Sequence, residues 1–243
     1  MSSLPDKNQI LTALQKGEID LQGQFLNGSN YTFMARLAYE ALDVAIVYKP
    51  VRGEQPLWDF PNGTLAKREV AAFVVSEALG WELVPPTVYR RKGPLGTGSV
   101  QLYIEHDPEY HFFNFEEKDK QRLRPVAVFD LLVNNADRKG SHILMDSNDH
   151  LWVIDHGLCF HDEDKLRTVI WDFGGQEIPI SLLDCLQKLH GQLQGKNDLT
   201  IQLLPLLQPG EVNALDRRAR RLLDNRRFPY PGSGHRPYPW PPI

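Results

Sequence analysis

Two aspartates flank a predicted β-hairpin in the middle of the chain, and their spacing limits the folds that can hold both. Asp137 lies in the loop NNADRKGSH, directly after an apolar helical pattern, and Asp155 ends the second hairpin strand, LWVID. The separation, 155 − 137 = 18 residues, is enough for a loop and one hairpin. The sequence therefore predicts that the two carboxylates converge on one site. His142, between them, adds an imidazole that can bind a metal ion.

These residue types suit phosphoryl transfer. That reaction needs a carboxylate to position or deprotonate the acceptor hydroxyl, metal ligands, and a cation on the nucleotide phosphates. Asp137, in a loop, can meet an acceptor, and Asp155, at a strand end, can be held rigidly towards a metal ion. The alternative interpretation is that both are acids that cap loops, which either residue alone would suggest.

The N-terminal half supplies a cation in a suitable place. Lys49 ends the β-branched strand DVAIVYKP, and Glu69 lies on the helical pattern KREVAAFVVSEAL that follows. Glu69 can pair with Lys49 and hold its ammonium group under a phosphate. The alternatives are a solvated lysine at a strand end and a surface glutamate.

The patterning changes along the chain from β-rich to α-rich. Up to residue 105 it predicts a short helix at 8–16, several strands and one prominent helix at 65–79 ended by Gly80. Beyond residue 116 it predicts helices at 118–134, 180–193 and 211–225. We expect an α+β fold with a β-rich N-lobe (1–105), an α-rich C-lobe (106–227) and a proline-rich C-terminal tail (228–243).

Composition excludes several function classes. Of 243 residues, 27 are Lys or Arg and 31 are Asp or Glu, so the net charge is 27 − 31 = −4. This balance does not favour a nucleic-acid partner, which needs a basic surface. Two cysteines cannot build a disulfide framework, and neither a secretory signal nor a membrane-spanning run is recognised. The sequence predicts a soluble, cytoplasmic protein.

The tail FPYPGSGHRPYPWPPI holds six of the 18 prolines. Because proline cannot donate a backbone hydrogen bond, the tail should be extended or partly disordered. It either packs back on the body of the protein or is free to contact a partner or substrate.

The order VYKP, REVAAFVVSEALG, QLYIE, FDLLVNNADRKGSHIL and LWVIDHGLCF resembles the phosphatidylinositol 3-/4-kinase-like superfamily. The similarity is strongest to type II phosphatidylinositol 4-kinases and related bacterial proteins, and it covers roughly residues 23–160. It implies a two-lobed protein-kinase-like fold and an ATP-dependent phosphotransferase that uses Mg²⁺ or Mn²⁺. The acceptor would be a hydroxyl on a lipid, a protein or a small molecule.

The resemblance also implies roles for individual residues. Lys49 would contact the nucleotide phosphates with Glu69 as its partner, Asp137 and its neighbour Arg138 would be catalytic, and Asp155 would be the metal ligand. His142 would be the second metal ligand, where the family usually has Asn. The remaining nucleotide contacts would come from the turn that contains Ser29 and Asn30, over the phosphates, and from the backbone at Glu105 and His106, around adenine.

Three alternatives stay open. The literal DFG at Asp172 could supply the metal aspartate, although it lies beyond the hairpin. His142 and the missing glycine-rich loop favour a pseudokinase, a nucleotide-binding regulator without turnover. His142, Asp155, His156 and His161 could instead form a metal-dependent hydrolase site.

Overall fold

The structure is a computed structural model that describes residues 6–25, 30–195, 197–232 and 236–243. Its strands are β1 Glu18–Gln24, β2 Phe33–Tyr39, β3 Leu42–Pro50, β4 Thr87–Arg90, β5 Gly98–Leu102, β6 Ile143–Met145 and β7 Leu151–Val153. Its helices are α1 Lys7–Lys16, α2 Leu65–Leu79, α3 Glu117–Gln121, α4 Arg124–Val133, α5 Ile180–Leu193, α6 Asp198–Leu203 and α7 Pro209–Asn225. Ser29 lies outside the described residues.

The first five strands form one antiparallel sheet in the order β1-β2-β3-β5-β4. Its inner face packs on α1 through a small apolar cluster that includes Leu14, Leu37, Ile46, Tyr48 and Val100. Beyond the sheet, α3 to α7 surround the hairpin β6–β7, and α2 belongs to the larger core that they form. The predicted α+β class, with a β-rich N-lobe and a helical C-lobe, is confirmed.

Most predicted elements form where the pattern places them. Helix α2 ends at Gly80, which has a φ of 67°, a left-handed conformation that glycine adopts without strain. The expected single helix over 118–134 is wrong, because two helices, α3 and α4, occupy that range. A turn around Leu123 separates them, and Pro125, which has no N–H to donate, lies in the first turn of α4.

Helix α2 is fixed to the helical part of the molecule by a buried ion pair. Arg68 is 1 % exposed and donates to the Glu211 carboxylate at the start of α7. It also donates to the carbonyl oxygen of Cys159, at 2.5 Å. The helix that carries Glu69 is therefore anchored on the segment that follows the hairpin.

Within the described residues, no helix is long and apolar enough to cross a membrane.

Candidate active site

Lys49, Glu69 and Asp155 meet in one ionic cluster. The Lys49 Nζ atom donates to a Glu69 carboxylate oxygen and lies 2.9 Å from Asp155 Oδ1. Strand β3 supplies the lysine, α2 supplies the glutamate, and the second residue after β7 is the aspartate. The predicted Lys49–Glu69 pair is thus present, and the hairpin brings Asp155 to it.

The electrostatics of this cluster favour the charged forms of Lys49 and Asp155, whereas burial raises the pKa of Glu69. Burial would lower the pKa of Lys49, but the charges of Asp155 and Glu69 raise it instead. The positive charge of Lys49 holds the pKa of Asp155 well below its usual range. Because 49 % of the Asp155 side chain is still exposed, this carboxylate can face a ligand from solvent as well as Lys49.

Asp155 has a φ of 61°, in the left-handed region that non-glycine residues rarely occupy. Its neighbours hold it there, since the N–H of His156 donates to Glu69 Oε2 at 3.0 Å. Strained backbone of this kind is concentrated at functional sites. The conformation turns the Asp155 carboxylate towards Lys49 and His142.

Asp137 lies in the loop after α4, and its conformation is set by its neighbours. Its N–H donates to Asn135 Oδ1 at 2.9 Å, and Asn134 begins the loop with a φ of 55°. Burial raises the pKa of Asp137 to about 6, opposed by Lys139, whose Nζ lies 3.6 Å from the carboxylate. A carboxylate with a pKa near neutrality suits the acceptance of a proton from a hydroxyl.

Arg138 is fully buried and lies behind the cleft. Its Nε atom donates to both oxygens of Asp130, at 3.1 and 3.2 Å. Its two terminal nitrogens lie 2.7 Å from the Ile154 carbonyl oxygen and 2.7 Å from His156 Nε2. Arg138 therefore joins α4, the Asp137 loop and the end of the hairpin.

His142 faces Asp155, with its Nε2 atom 3.4 Å from Asp155 Oδ2. Burial lowers its pKa to about 4, so the ring is neutral at pH 7. The Lys139 N–H donates to His142 Nδ1 at 3.4 Å, so the ring proton lies on Nε2 in this arrangement. To bind a metal ion at Nε2, the ring would have to carry its proton on Nδ1 instead.

The remaining predicted site residues have other partners. Asn30 Oδ1 accepts the Gln55 N–H at 2.7 Å, which ties Asn30 to the loop after β3. Glu105 and His106 follow β5, where His106 Nδ1 lies 2.8 Å from the Ile104 carbonyl oxygen. They lie between β5 and the first of the later helices, α3.

The described geometry argues against two of the alternatives. Asp172 is exposed and the adjacent Phe173 packs on Phe228, whereas it is Asp155 that binds Lys49. His156 is buried against Arg138, and His161 Nε2 lies 2.9 Å from the Asp59 carbonyl oxygen. No group of three or more His, Cys, Asp or Glu side chains in the described part of the chain is arranged to hold a metal ion.

The site nevertheless fits a metal ion that is shared with a nucleotide. Mg²⁺ is commonly held by one or two protein carboxylates together with phosphate oxygens, so a complete protein cage is not needed. Asp155 supplies an exposed carboxylate, and His142 supplies a neutral imidazole beside it.

Solved structures with the same architecture include proteins named as kinases. A hydra Fam20 structure with sugar aligns over 89 % of this chain and 87 % of its own, with a TM-score of 0.57 and 17 % identity. The Golgi casein kinase with Mn/ADP bound aligns over 90 % of this chain and 74 % of its own, with a TM-score of 0.59 and 17 % identity. The Helicobacter pylori proinflammatory kinase CtkA aligns over 88 % of this chain and 94 % of its own, with a TM-score of 0.54 and 13 % identity. The chain has a kinase-like fold.

No protein-family model matches the sequence. Protein Rv2133c of Mycobacterium tuberculosis (strain ATCC 25618 / H37Rv) is 40 % identical over an alignment of 263 positions. The alignment covers 94 % of this chain and 93 % of that protein. The chain belongs to the same family as Protein Rv2133c. Phosphatidylinositol 4-kinase gamma 4 of Arabidopsis thaliana is 28 % identical over 134 residues, 45 % of this chain and 24 % of that much longer protein.

Proposed function

We propose that this protein is an ATP-dependent phosphotransferase of the phosphatidylinositol 3-/4-kinase-like type, acting on a hydroxyl acceptor. The observation that carries the proposal is the position of Lys49 Nζ between Glu69 and Asp155. A lysine held in this way by two carboxylates is oriented to meet nucleotide phosphates. The sequence similarity to the plant phosphatidylinositol 4-kinase supports the same class.

In this proposal the residues divide the work of the reaction. Lys49 binds the phosphates, Glu69 keeps it in place, and Asp155 with His142 would hold Mg²⁺ or Mn²⁺. The bound metal ion would neutralise charge on the phosphates. Asp137 would orient the acceptor hydroxyl and take its proton, and the backbone at Glu105 and His106 would hold adenine. The proposal also divides the chain into an N-lobe at 1–105 and a C-lobe at 106–227.

Two further statements belong to the proposal. A cytoplasmic location fits the two free cysteines, Cys159 and Cys185, because a reducing compartment leaves thiols unpaired. A strongly anionic lipid is a poor acceptor for this chain. The acids that follow the hairpin already neutralise nearby cations: Asp164 lies 3.1 Å from Arg221, and Glu163 lies 3.3 Å from Lys165.

The test is ATP turnover by the purified chain with Mg²⁺ and, separately, with Mn²⁺. We expect turnover that falls at least about 100-fold in Asp137→Asn, since a positioned base contributes 10²–10⁴-fold. Asp172→Asn, in the literal DFG, is the matched control and should leave turnover unchanged. A wild type without turnover under either metal, equal to Asp137→Asn, contradicts the proposal.

The second candidate function is a pseudokinase. It is favoured by His142, which stands where the resembled kinase family usually has Asn. A thermal shift with ATP and metal, lost in Asp155→Ala, together with absent turnover would establish it. A metal-dependent hydrolase would instead contain tightly bound zinc or iron, which elemental analysis of the purified protein detects.

A further inference from the structure

The proline-rich segment 236–243, here named the docked segment, lies on the loop that carries Asp137. The Pro242 carbonyl oxygen accepts the Gly140 N–H at 2.8 Å. The Pro237 carbonyl oxygen accepts the Thr168 N–H at 3.0 Å and the Trp171 indole N–H at 3.3 Å. Both ends of the segment are thus bound to the body of the protein through main-chain carbonyls.

The groups that receive the docked segment lie close to the proposed catalytic residue along the chain and in space. Gly140 follows Asp137 in the same loop. Thr168 belongs to a stretch that is hydrogen-bonded to that loop. The Arg138 N–H donates to the Arg167 carbonyl oxygen at 2.9 Å, and the Val169 N–H donates to the Arg138 carbonyl oxygen at 3.2 Å. We name the surface formed by Gly140, Thr168 and Trp171 the loop groove.

The loop groove is built rigidly. Thr168 is 3 % exposed, and its hydroxyl donates to Asp130 Oδ2 at 3.1 Å, the same aspartate that pairs with Arg138. At the other end, a Cβ atom at Gly140 would lie 2.7 Å from the Phe113 ring, so this ring packs closely on the backbone at Gly140. The donors of the groove are therefore held in place by the same framework that positions Asp137.

The chemistry of the groove matches an extended polypeptide. Its donors are two backbone N–H groups and an indole N–H, which recognise carbonyl oxygens and carry no net charge. Proline offers carbonyl acceptors without donors and loses little conformational freedom on docking. The docked segment meets this description, with Pro239 buried and Trp240 73 % exposed under the Arg236 guanidinium, 4.8 Å from the ring centroid.

We propose that the loop groove is a binding site for extended, proline-containing polypeptides, and that the docked segment occupies it in the free protein. A protein substrate would then bind beside Asp137 by displacing the segment. The kinetic part of this inference rests on the proposed phosphotransferase function, whereas the binding part does not.

The binding test replaces the docked segment and adds it back as a peptide. Residues 237–242 are changed to alternating Gly and Ser in the full chain, and a fluorescent peptide RPYPWPPI is titrated onto this variant and onto the intact protein. We expect at least about tenfold tighter binding to the replaced variant, because its groove is free. A peptide in which the four prolines are replaced by glycine is the control, and it should bind the replaced variant several-fold more weakly because it loses more conformational freedom on docking.

A second pair of variants keeps the test decisive if the replacement impairs folding. Trp240→Ala removes an exposed ring that packs on Arg236 within the docked segment, which loosens the segment and should increase peptide binding. Adding Trp171→Phe to it removes one donor of the groove and keeps the ring, and should reduce that binding several-fold at an unchanged melting temperature. Folded variants that do not bind the peptide overturn the proposal.

The kinetic test measures ATP turnover of the same proteins. Replacement of the docked segment should raise turnover, and the free peptide should lower it again. Peptide binding without any turnover would support the loop groove as a polypeptide-binding site and would contradict only the proposed phosphotransferase function. If the replaced variant gains binding to phosphatidylcholine vesicles that contain phosphatidylinositol and does not bind the peptide, the groove serves a lipid surface and the proposal is wrong.

Discussion

His156 Nε2 lies 2.7 Å from Arg138 Nη2 in the interior of the protein, and both side chains are fully buried. A guanidinium only donates hydrogen bonds, so His156 accepts at Nε2 and carries its proton on Nδ1. Burial, and then the charge of Arg138, lowers the pKa of His156 well below its usual value, which keeps the ring neutral. The histidine is therefore a fixed acceptor that links the end of the hairpin to the Asp137 loop.

We expect His156→Phe to destabilise the protein although it keeps an aromatic ring at this position. The change leaves Arg138 Nη2 without its buried acceptor, and an unsatisfied buried donor costs about 1–3 kcal/mol. His156→Gln, which retains an acceptor oxygen, is the matched variant and should cost less. Urea unfolding of the three proteins checks this, and equal losses in both variants would contradict the assigned role.

Lys49 and Glu69 should show strong coupling in a double-mutant cycle. Glu69 is 2 % exposed, so Lys49→Met leaves a buried carboxylate without its cation, which costs about 3 kcal/mol. The double variant Lys49→Met/Glu69→Gln removes that charge and should recover most of the stability. Its ATP binding should stay as weak as in Lys49→Met, because the phosphates still lack the ammonium group.

Denaturant unfolding and an ATP thermal shift are measured on the wild type, Lys49→Met, Glu69→Gln and the double variant. The first measures the effect on stability and the second the effect on ATP binding. Additive losses of stability in the double variant would show that the ion pair contributes nothing to the fold.

The ionic cluster was predictable from the sequence because each member ends or follows a strongly patterned element. Lys49 lies at the end of a β-branched strand, Glu69 lies on a helix with an apolar pattern at helical spacing, and Asp155 follows a hairpin. The framework behind them was not recognised. Asp130 did carry a signal, since a lone charge inside the apolar pattern of α4 needs a buried partner, but its partner Arg138 was assigned to catalysis.

Other contacts left no signal in the sequence. His156 gives no pattern that separates a buried acceptor from an exposed ring. The docking of residues 236–243 depends on three-dimensional shape alone, because proline patterns fix local conformation without specifying what the segment packs on. Asn134 and Asn135, which shape the Asp137 loop, were visible only as part of a polar run.

The buried pair Arg68–Glu211 should be a major stabilising contact between α2 and α7. Both side chains are nearly inaccessible, so Arg68→Met strands the Glu211 carboxylate and should cost about 3–5 kcal/mol. Glu211→Gln keeps a side-chain oxygen that can accept the Gln208 N–H, as Glu211 Oε2 does at 2.8 Å, and should cost less. Urea unfolding measures both losses, and a change below about 1 kcal/mol in Arg68→Met would show that water compensates the carboxylate.

Asp137 should give the activity and the stability of the protein opposite pH responses. Its pKa is raised to about 6 by burial, so the carboxylate needed as a base is lost below that pH and kcat/KM should fall with a single-proton slope. The folded state binds this proton more tightly than the unfolded chain does, so ionised Asp137 lowers stability above pH 6.

Asp137→Asn should therefore abolish turnover while raising the melting temperature at pH 8. That gain should fade as the pH falls through 6 towards the ordinary aspartate value of 3.8, where the wild-type carboxyl is also neutral. Melting temperatures of the two proteins between pH 4 and 8 test this directly. A melting temperature of Asp137→Asn below that of the wild type at pH 8 would mean that the ionised carboxylate stabilises the loop, and its role as a buried base would then be wrong.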